Sequence, residues 1–326
     1  MRCDGSREAN GNRGAAQWLA PVWTSLSCPV ARNYLRERHH EHENVSFPEP
    51  HFISMTFQRG TLMMLQRATL GVVVAGAIAG VARRAGALSR SGAFAALFVG
   101  TATVTGSWRW GALLLTYFTL STVLSRFGRE RKETLTSGVL AKGGARDAVQ
   151  VMANGGVFAA GALLSALTMD TVAVTMSLAA LGALSASAAD TWATEIGTLY
   201  GGTPRSLLTM RRVPVGSSGG VSVCGLAAMV AGAAVIAAVA VSLGLTHDLH
   251  IITTAGVAGA VVDSLLGATL QERRWCAACG RSSEQPVHDC GSATTLVGGH
   301  EWMNNDMVNV MATFVGAAVA VLLAHV

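Results

Sequence analysis

The chain has 326 residues, of which 51% are hydrophobic and only 13% charged, and its mean hydropathy is +0.42. Soluble globular proteins carry about 25% charged residues, so this composition excludes an ordinary soluble enzyme. The net charge is +5, no nucleic-acid partner is expected, and six cysteines (Cys3, Cys28, Cys224, Cys276, Cys279, Cys290) are too scattered for a secreted disulfide framework.

Residues 1–60 form a polar tail, expected to be disordered. Its cluster His39-His40-Glu41-His42-Glu43 could bind metal but reads more simply as solvated. No apolar stretch near Met1 fits a signal peptide, and Asp4, Glu8, Glu37 and Glu41 are out of place in a transit peptide. Residues 61–326 read as an all-α, polytopic transmembrane helix bundle, with 272–304 a cytosolic Cys/His loop. Apolar runs of roughly 17–25 residues recur, and no alternating ten-residue strands appear. About eight spans are predicted, at 63–82, 91–107, 109–126, 148–169, 171–197, 219–243, 250–271 and 306–324. Gly is abundant (37 residues) where aromatics are only 6%, which predicts closely packed helices.

The loops alternate in charge. Fifteen Lys and Arg residues fall in the loops after spans one, three, five and seven, against one, Arg109, in the loops on the other side. The positive-inside rule places the first set in the cytosol. Eight more, from Arg2 to Arg67, would then face the other way, a conflict softened by the length of the tail.

Polar residues inside the spans all gather at that cytosolic end. Asp147, Gln150 and Asn154 open span four, Asp190 and Glu195 close span five, Asp263, Ser264 and Gln271 close span seven, and Asn304, Asn305, Asp306 and Asn309 open span eight. A carboxylate in an apolar segment needs a partner or a function. Carboxylates and amides suit a hard cation such as Mg²⁺. The loop Gly216-Ser217-Ser218-Gly219-Gly220, leading into a helix, offers backbone N–H groups to an anion, and Arg205, Arg211 and Arg212 could clamp phosphate oxygens. These are the parts that phosphoryl or nucleotidyl transfer requires. Taken singly, the glycines read as packing, the arginines as topology signal and Asn304-Asn305 as a helix cap. Asp190 and Asp263 resist such readings. In the last loop, Cys276, Cys279, His288 and Cys290 fit either a Cys₃His structural zinc site or free thiols.

The blocks SASAADTWATEIG, RRVPVGSSGGVS, VDSLLGATLQ, NNDMVNVMATFVGA, QVMANGG and LSRFGRERK resemble, in the same order, the transmembrane protein 19 family, over about residues 65–326. That family includes a plant phytyl-phosphate kinase, so the resemblance implies an isoprenoid-monophosphate kinase activity. A looser likeness links Asp190, Ala193 and Gly197, followed by basic residues and the glycine loop, to CTP-dependent dolichol and phytol kinases and CDP-diacylglycerol synthase. It implies Asp190 on Mg²⁺, with Arg211 or Arg212 and the glycine loop on the nucleotide phosphates. Arg212 and Ala189 stand where those enzymes usually have Lys and Gly.

The expected function is therefore a prenyl- or phytyl-monophosphate kinase using CTP or another nucleoside triphosphate, in an endoplasmic-reticulum or organelle membrane with its site facing the cytosol. Asp190 and Asp263 would hold the metal, Asp306 and Glu195 would be further ligands or orienters, and Asn154, Asn305 and Asn309 would hydrogen-bond phosphate or metal-bound water. The alternative is a transporter of a small anion or lipid phosphate, since buried acids and a weak repeat around Asp190 and Asp263 also occur in that class.

Overall fold

Apolar segments rich in Ala and Gly must satisfy their own backbone in a bilayer, and the helix is the form that does so within one segment. The computed structural model describes residues 50–136, 144–288 and 290–325, with side chains from Gly60 onward. The polar tail before residue 50, with the His39 to Glu43 cluster, Cys3 and Cys28, lies outside the described residues. The compact unit of interest runs over Gln58–Val326.

The helices are α1 (Pro50–Arg84), α2 (Arg90–Gly106), α3 (Trp108–Arg126), α4 (Arg129–Thr136), α5 (Ala148–Leu167), α6 (Asp170–Tyr200), α7 (Val223–Ser242), α8 (Leu249–Thr269) and α9 (Asn305–Leu323). Each predicted span coincides with one of them, and α4 is a short addition. Six (α1 from Gly60, and α5 to α9) are long and apolar enough to cross a membrane. The other two, α2 with 17 residues and the more polar α3 with 19, pack against each other. Caps explain the sharp starts. Ser89 accepts from Gly92 N at 3.0 Å, Asp147 and Gln150 form a reciprocal capping box, and Asn304 accepts from Met307 N at 3.0 Å.

The central post is α6. Its 31 residues span about 46 Å at 1.5 Å per residue, against a hydrocarbon thickness of about 30 Å. Residues 180–189 are buried on every side, and α6 touches α3, α4, α5, α7, α8 and α9. Small side chains permit six neighbours around one helix. The buried hydroxyls in this run donate to carbonyls of neighbours: Ser185 Oγ to Ile252 O at 3.0 Å and Ser187 Oγ to Asn154 O at 2.8 Å.

Three boundaries differ from expectation. The first helix starts at Pro50 rather than 63, so residues 50–60, expected in the disordered tail, are helical. Span six was predicted from 219, but Ser222 Oγ caps Gly225 N at 3.1 Å, so the helix begins at Val223. Before it, β2 (Gly220–Val221) pairs antiparallel with β1 (Arg205–Ser206). Span seven stops at Thr269, and the chain enters an antiparallel sheet of order β4-β3-β5, formed by β3 (Arg273–Cys276), β4 (Arg281–Ser283) and β5 (Thr295–Gly298). Strands of three or four residues are too short to show an alternating pattern in sequence.

Candidate active site

The basic connections after α1, α3 and α8 meet around a polar cavity of about 1290 Å³, and the one after α6 borders a smaller chamber. Backbone hydrogen bonds tie the rim of the polar cavity together: Ser89 N donates to Arg146 O and Arg146 N to Ala87 O, both at 3.0 Å. The smaller chamber, of about 140 Å³, adjoins it, and Asp190, Thr194, Thr198, Gln271, Glu284 and Asn305 line both.

The junction of the two holds a pair of acids. Helices α6 and α8 run in the same direction and nearly touch, for a Cβ added to Gly256 would lie 2.1 Å from Ser185 Oγ. Further along, that closeness sets the carboxyl groups of Asp190 and Asp263 beside each other at the wall of the smaller chamber. Asp263 Oδ2 is buried and has no hydrogen-bond partner among the described residues. Two ionised carboxylates side by side repel strongly, and either a shared proton or a cation between them relieves that repulsion.

Other expected site residues take up different positions. Asn154, Asn305, Asn309 and Asp306 line the large cavity with Asp190. Asp306 does not close a three-carboxylate cluster. Among the described residues, the group of three or more potential ligands whose atoms gather within 4.8 Å of one another is the Cys/His set. Asp306 sits in the first turn of α9, where the helix dipole favours a carboxylate. Glu195 is engaged by protein. Its Oε2 receives Lys132 Nζ at 2.5 Å and its Oε1 receives Ser125 Oγ at 2.5 Å, while Lys132 Nζ also donates to Leu124 O at 2.8 Å and Ser125 O at 3.0 Å. That arrangement fastens α4 to α6 and to the end of α3.

Arg211 and Arg212 were expected on phosphate, but the structure brings them to neither chamber. Both are exposed on a small hairpin, where Ser206 N donates to Arg211 O at 2.9 Å and Val213 N to Pro204 O at 3.0 Å, holding the strand ends together. Gly216, Ser217, Ser218, Gly219 and Gly220 do line the smaller chamber with Asp190 and Asp263. Gly219 has φ +72° and an added Cβ would lie 2.5 Å from Ala268 N, so no other residue fits there. Ser217 N donates to Pro214 O at 3.2 Å and Gly220 N to Ser217 O at 3.0 Å, so two of the N–H groups expected to face an anion serve the loop itself.

Three residues that sequence reading passed over are prominent. Arg146, counted before only as a loop charge, donates to Thr122 Oγ1 and Ser125 Oγ at 3.3 Å each, with its guanidinium 5.9 Å from the centre of the Phe118 ring. Lys132 is the partner of Glu195. Glu284 Oε1 accepts from Ser218 Oγ at 2.6 Å and from Gln271 Nε2 at 3.0 Å, tying the sheet to the glycine loop and to the end of α8. Spacing in the sequence carries no signal for these, because their side-chain pairs span 13 to 66 residues.

An apolar cavity of about 280 Å³ lies among α1, α2, α3 and α5, walled by residues such as Ile78, Val99, Val104, Trp108, Leu115 and Phe118. At one end it reaches Arg146, Gln150 and Asn154, which also line the polar cavity.

In the sheet, Cys276 Sγ and Cys290 Sγ are 3.6 Å apart, and Cys279 and His288 complete the set within 4.8 Å. Hydrogen bonds from Ser292, Cys279 and His288 pull the Cys290 thiol down to about 6, and its hydrogen bond with Cys290 pushes Cys279 up to about 11. One thiolate is thus favoured at the expense of its neighbour.

The family model for Integral membrane protein DUF92 matches residues 73–317. Protein PGR of Arabidopsis thaliana is 28% identical over 267 residues, which cover 74% of this chain and 91% of that protein. An uncharacterized membrane protein of Synechocystis sp. is 29% identical over 217 residues, 66% of this chain and 73% of its own. Protein VTE6, chloroplastic, of Arabidopsis thaliana is 28% identical over 246 residues, 72% of this chain and 65% of its own. No solved structure matches at a significant level. The family match begins within α1 and ends within α9, so it takes in the acid pair, the glycine loop, the sheet and both cavities, and the chain belongs to the Integral membrane protein DUF92 family.

Proposed function

We propose that this protein is a membrane-embedded kinase for isoprenoid monophosphates, transferring a phosphoryl group from CTP or another nucleoside triphosphate with Mg²⁺. One observation carries the reading: Arg146, Gln150 and Asn154 stand where a polar cavity of about 1290 Å³ meets an apolar one of about 280 Å³. A ligand with an anionic head and a single apolar tail fits such a junction. The tail occupies the apolar cavity between α1, α2, α3 and α5, and the phosphate meets the Arg146 guanidinium. The nucleotide polyphosphate takes the opposite side of the polar cavity, toward Asp190, Asp263 and the glycine loop. On the positive-inside reading this end faces the cytosol.

Asp190 and Asp263 present the all-oxygen donors that Mg²⁺ prefers, and the unpartnered Asp263 Oδ2 is an acceptor awaiting a donor. When bound, Mg²⁺ supplies neutralisation of phosphate charge. Asn305 and Asn309 can donate to phosphate oxygens from the start of α9. The acceptor phosphate oxygen attacks the terminal phosphorus of the triphosphate, the bond from that phosphorus to the bridging oxygen breaks, and the nucleoside diphosphate leaves with the electron pair. A phosphate monoester with a second pKa of about 6 is already largely dianionic at neutral pH, so the step needs no general base. Glu195, engaged by Lys132, is thus left to hold the frame.

Purified protein given labelled CTP, other triphosphates and prenyl monophosphates should form the diphosphate in a Mg²⁺-dependent manner. Absence of product across that panel would end the kinase reading. A transporter would need access from both ends, whereas the polar lining is confined to one end and residues 180–189 of α6 are sealed. Counterflow of labelled lipid phosphate in liposomes, unaffected by Asp190→Asn, would favour transport instead.

Three substitutions test where each substrate sits. Ala112 lies on the wall of the apolar cavity and is exposed, so Ala112→Phe should raise the KM for the prenyl phosphate and leave that for the nucleotide unchanged. Arg146→Ala should raise the prenyl-phosphate KM by about 10- to 100-fold, the range for loss of one charged hydrogen bond. Arg212→Ala, at an exposed site outside both chambers, should leave both KM values within about twofold. Steady-state kinetics with each substrate varied in turn reads all three. A large rise with Arg212→Ala and none with Arg146→Ala would reverse the placement of the anion.

A further inference from the structure

We propose that Cys276, Cys279, His288 and Cys290 bind one structural zinc ion, and that this ion positions Glu284 against the glycine loop of the small chamber. The zinc site stands independently of the kinase reading.

The four ligands come from two turns of the same design. Cys276 ends β3, and Gly280 N donates back to Cys276 O at 2.9 Å, with Gly280 at φ +61° and Cys279 within the turn. In the second turn His288 N donates to Ser292 O at 2.9 Å and Gly291 N to His288 O at 2.8 Å, with Gly291 at φ +81° and Cys290 within. Each turn therefore carries two ligands, closes on a left-handed glycine and presents its ligands to the other. In a tetrahedral zinc site with Zn–S of about 2.3 Å, ligand sulfurs lie about 3.8 Å apart. The 3.6 Å between Cys276 Sγ and Cys290 Sγ and the 4.8 Å limit on all four atoms suit that geometry.

The histidine supplies an independent observation. His288 is 9% exposed, its Nδ1 accepts from Cys290 N at 3.3 Å, and its Nε2 is buried without a hydrogen-bond partner among the described residues. A neutral imidazole keeps a lone pair on one of its two nitrogens, and this ring is buried within ligand distance of the three sulfurs, so it can give that lone pair to a metal ion. A disulfide would use two of the three thiols and leave Nε2 unsatisfied. Three sulfurs and one imidazole exclude Mg²⁺ and Ca²⁺ and select a soft, tetrahedral ion.

The physical need is plain. Strands of three and four residues do not hold a free-standing sheet, and the connection buries few large side chains. Glu284 directly follows β4 and receives both Ser218 Oγ at 2.6 Å and Gln271 Nε2 at 3.0 Å. Whatever fixes the two turns fixes that carboxylate, and with it the glycine loop. Glu284 is in this sense a positioning residue.

Elemental analysis of the full-length protein in detergent should find one zinc per chain. Cys279→Ser, at an exposed ligand, should lose it, as should Cys276→Ser, while Cys224→Ser keeps it. Treatment with a strong zinc chelator should make the chain cleavable by trypsin after Arg281, with protection restored by added Zn²⁺. Glu284→Gln should retain zinc and protection at Arg281 yet change reactivity at the glycine loop, read by labelling of a cysteine placed at Ser217. Iron in place of zinc, or no metal with all three thiols reactive in the protected protein, would overturn the site. Unchanged labelling at the loop after zinc removal would overturn the positioning role alone. Failure of the kinase assay with zinc present would count against the proposed activity and leave this site standing.

Discussion

Asp263→Asn is expected to reduce turnover by about 10²–10³-fold or more while leaving the protein at least as stable as the parent. The two effects have one cause. Asp190 and Asp263 lie beside each other on helices α6 and α8, and Asp263 Oδ2 has no hydrogen-bond partner among the described residues. Two carboxylates held together away from bulk water repel, and an amide of nearly the same shape removes the repulsion. Sites built for function commonly sacrifice stability in this way. Asp190→Asn should behave alike, because it removes the other half of the pair. Turnover and thermal unfolding measured on one preparation decide the matter. Near-parental turnover in either variant would dismiss the paired-acid metal site, and a fall in stability matching the fall in turnover would mark the pair as structural.

The second large effect concerns the frame. Lys132 Nζ meets Glu195 Oε2 at 2.5 Å, with side-chain exposures of 11% and 21%, and Lys132 also donates to two backbone carbonyls at the end of α3. Lys132→Met should lower stability by about 3 kcal/mol, near the lower end for breaking a buried pair, since it strands a half-buried carboxylate with Ser125 as its remaining donor in this group. Glu195→Gln should cost only about 1 kcal/mol, because the amide oxygen still accepts from Lys132 and Lys132 keeps its carbonyls. Thermal or denaturant unfolding of the two variants gives the order. A larger loss with Glu195→Gln, or a loss of turnover with no loss of stability, would return Glu195 to the chemistry.

Much of the scaffold was legible. Apolar runs and charge alternation located eight helices to within a few residues at most ends, because length, apolarity and loop charge are local properties that a bilayer enforces segment by segment. Where the boundary was missed, as at Val223, a single serine cap decided it. Asp190 and Asp263 also stood out by themselves, since a carboxylate in an apolar helix demands an explanation wherever it lies. The ordered blocks along the chain pointed to the family, and the match over residues 73–317 agrees with them.

What only the tertiary structure decided is which polar groups answer one another. Arg211 and Arg212 seemed close to the glycine loop because they are close in sequence, yet β1 pairs with β2 and leaves both on an exposed hairpin. Arg146, read as loop charge, stands instead at the meeting of the polar and apolar cavities, and Glu284 reaches Ser218 across 66 residues. Such pairings arise when helices of small residues pack closely around α6 and carry their ends to one level. The sequence by itself determined the helices, their alternation and the two buried acids, because each follows from the free energy of one segment in a membrane. Which acid is met, which arginine faces a ligand and where an apolar chain can lie depend on contacts between segments far apart, and only the packed bundle sets those.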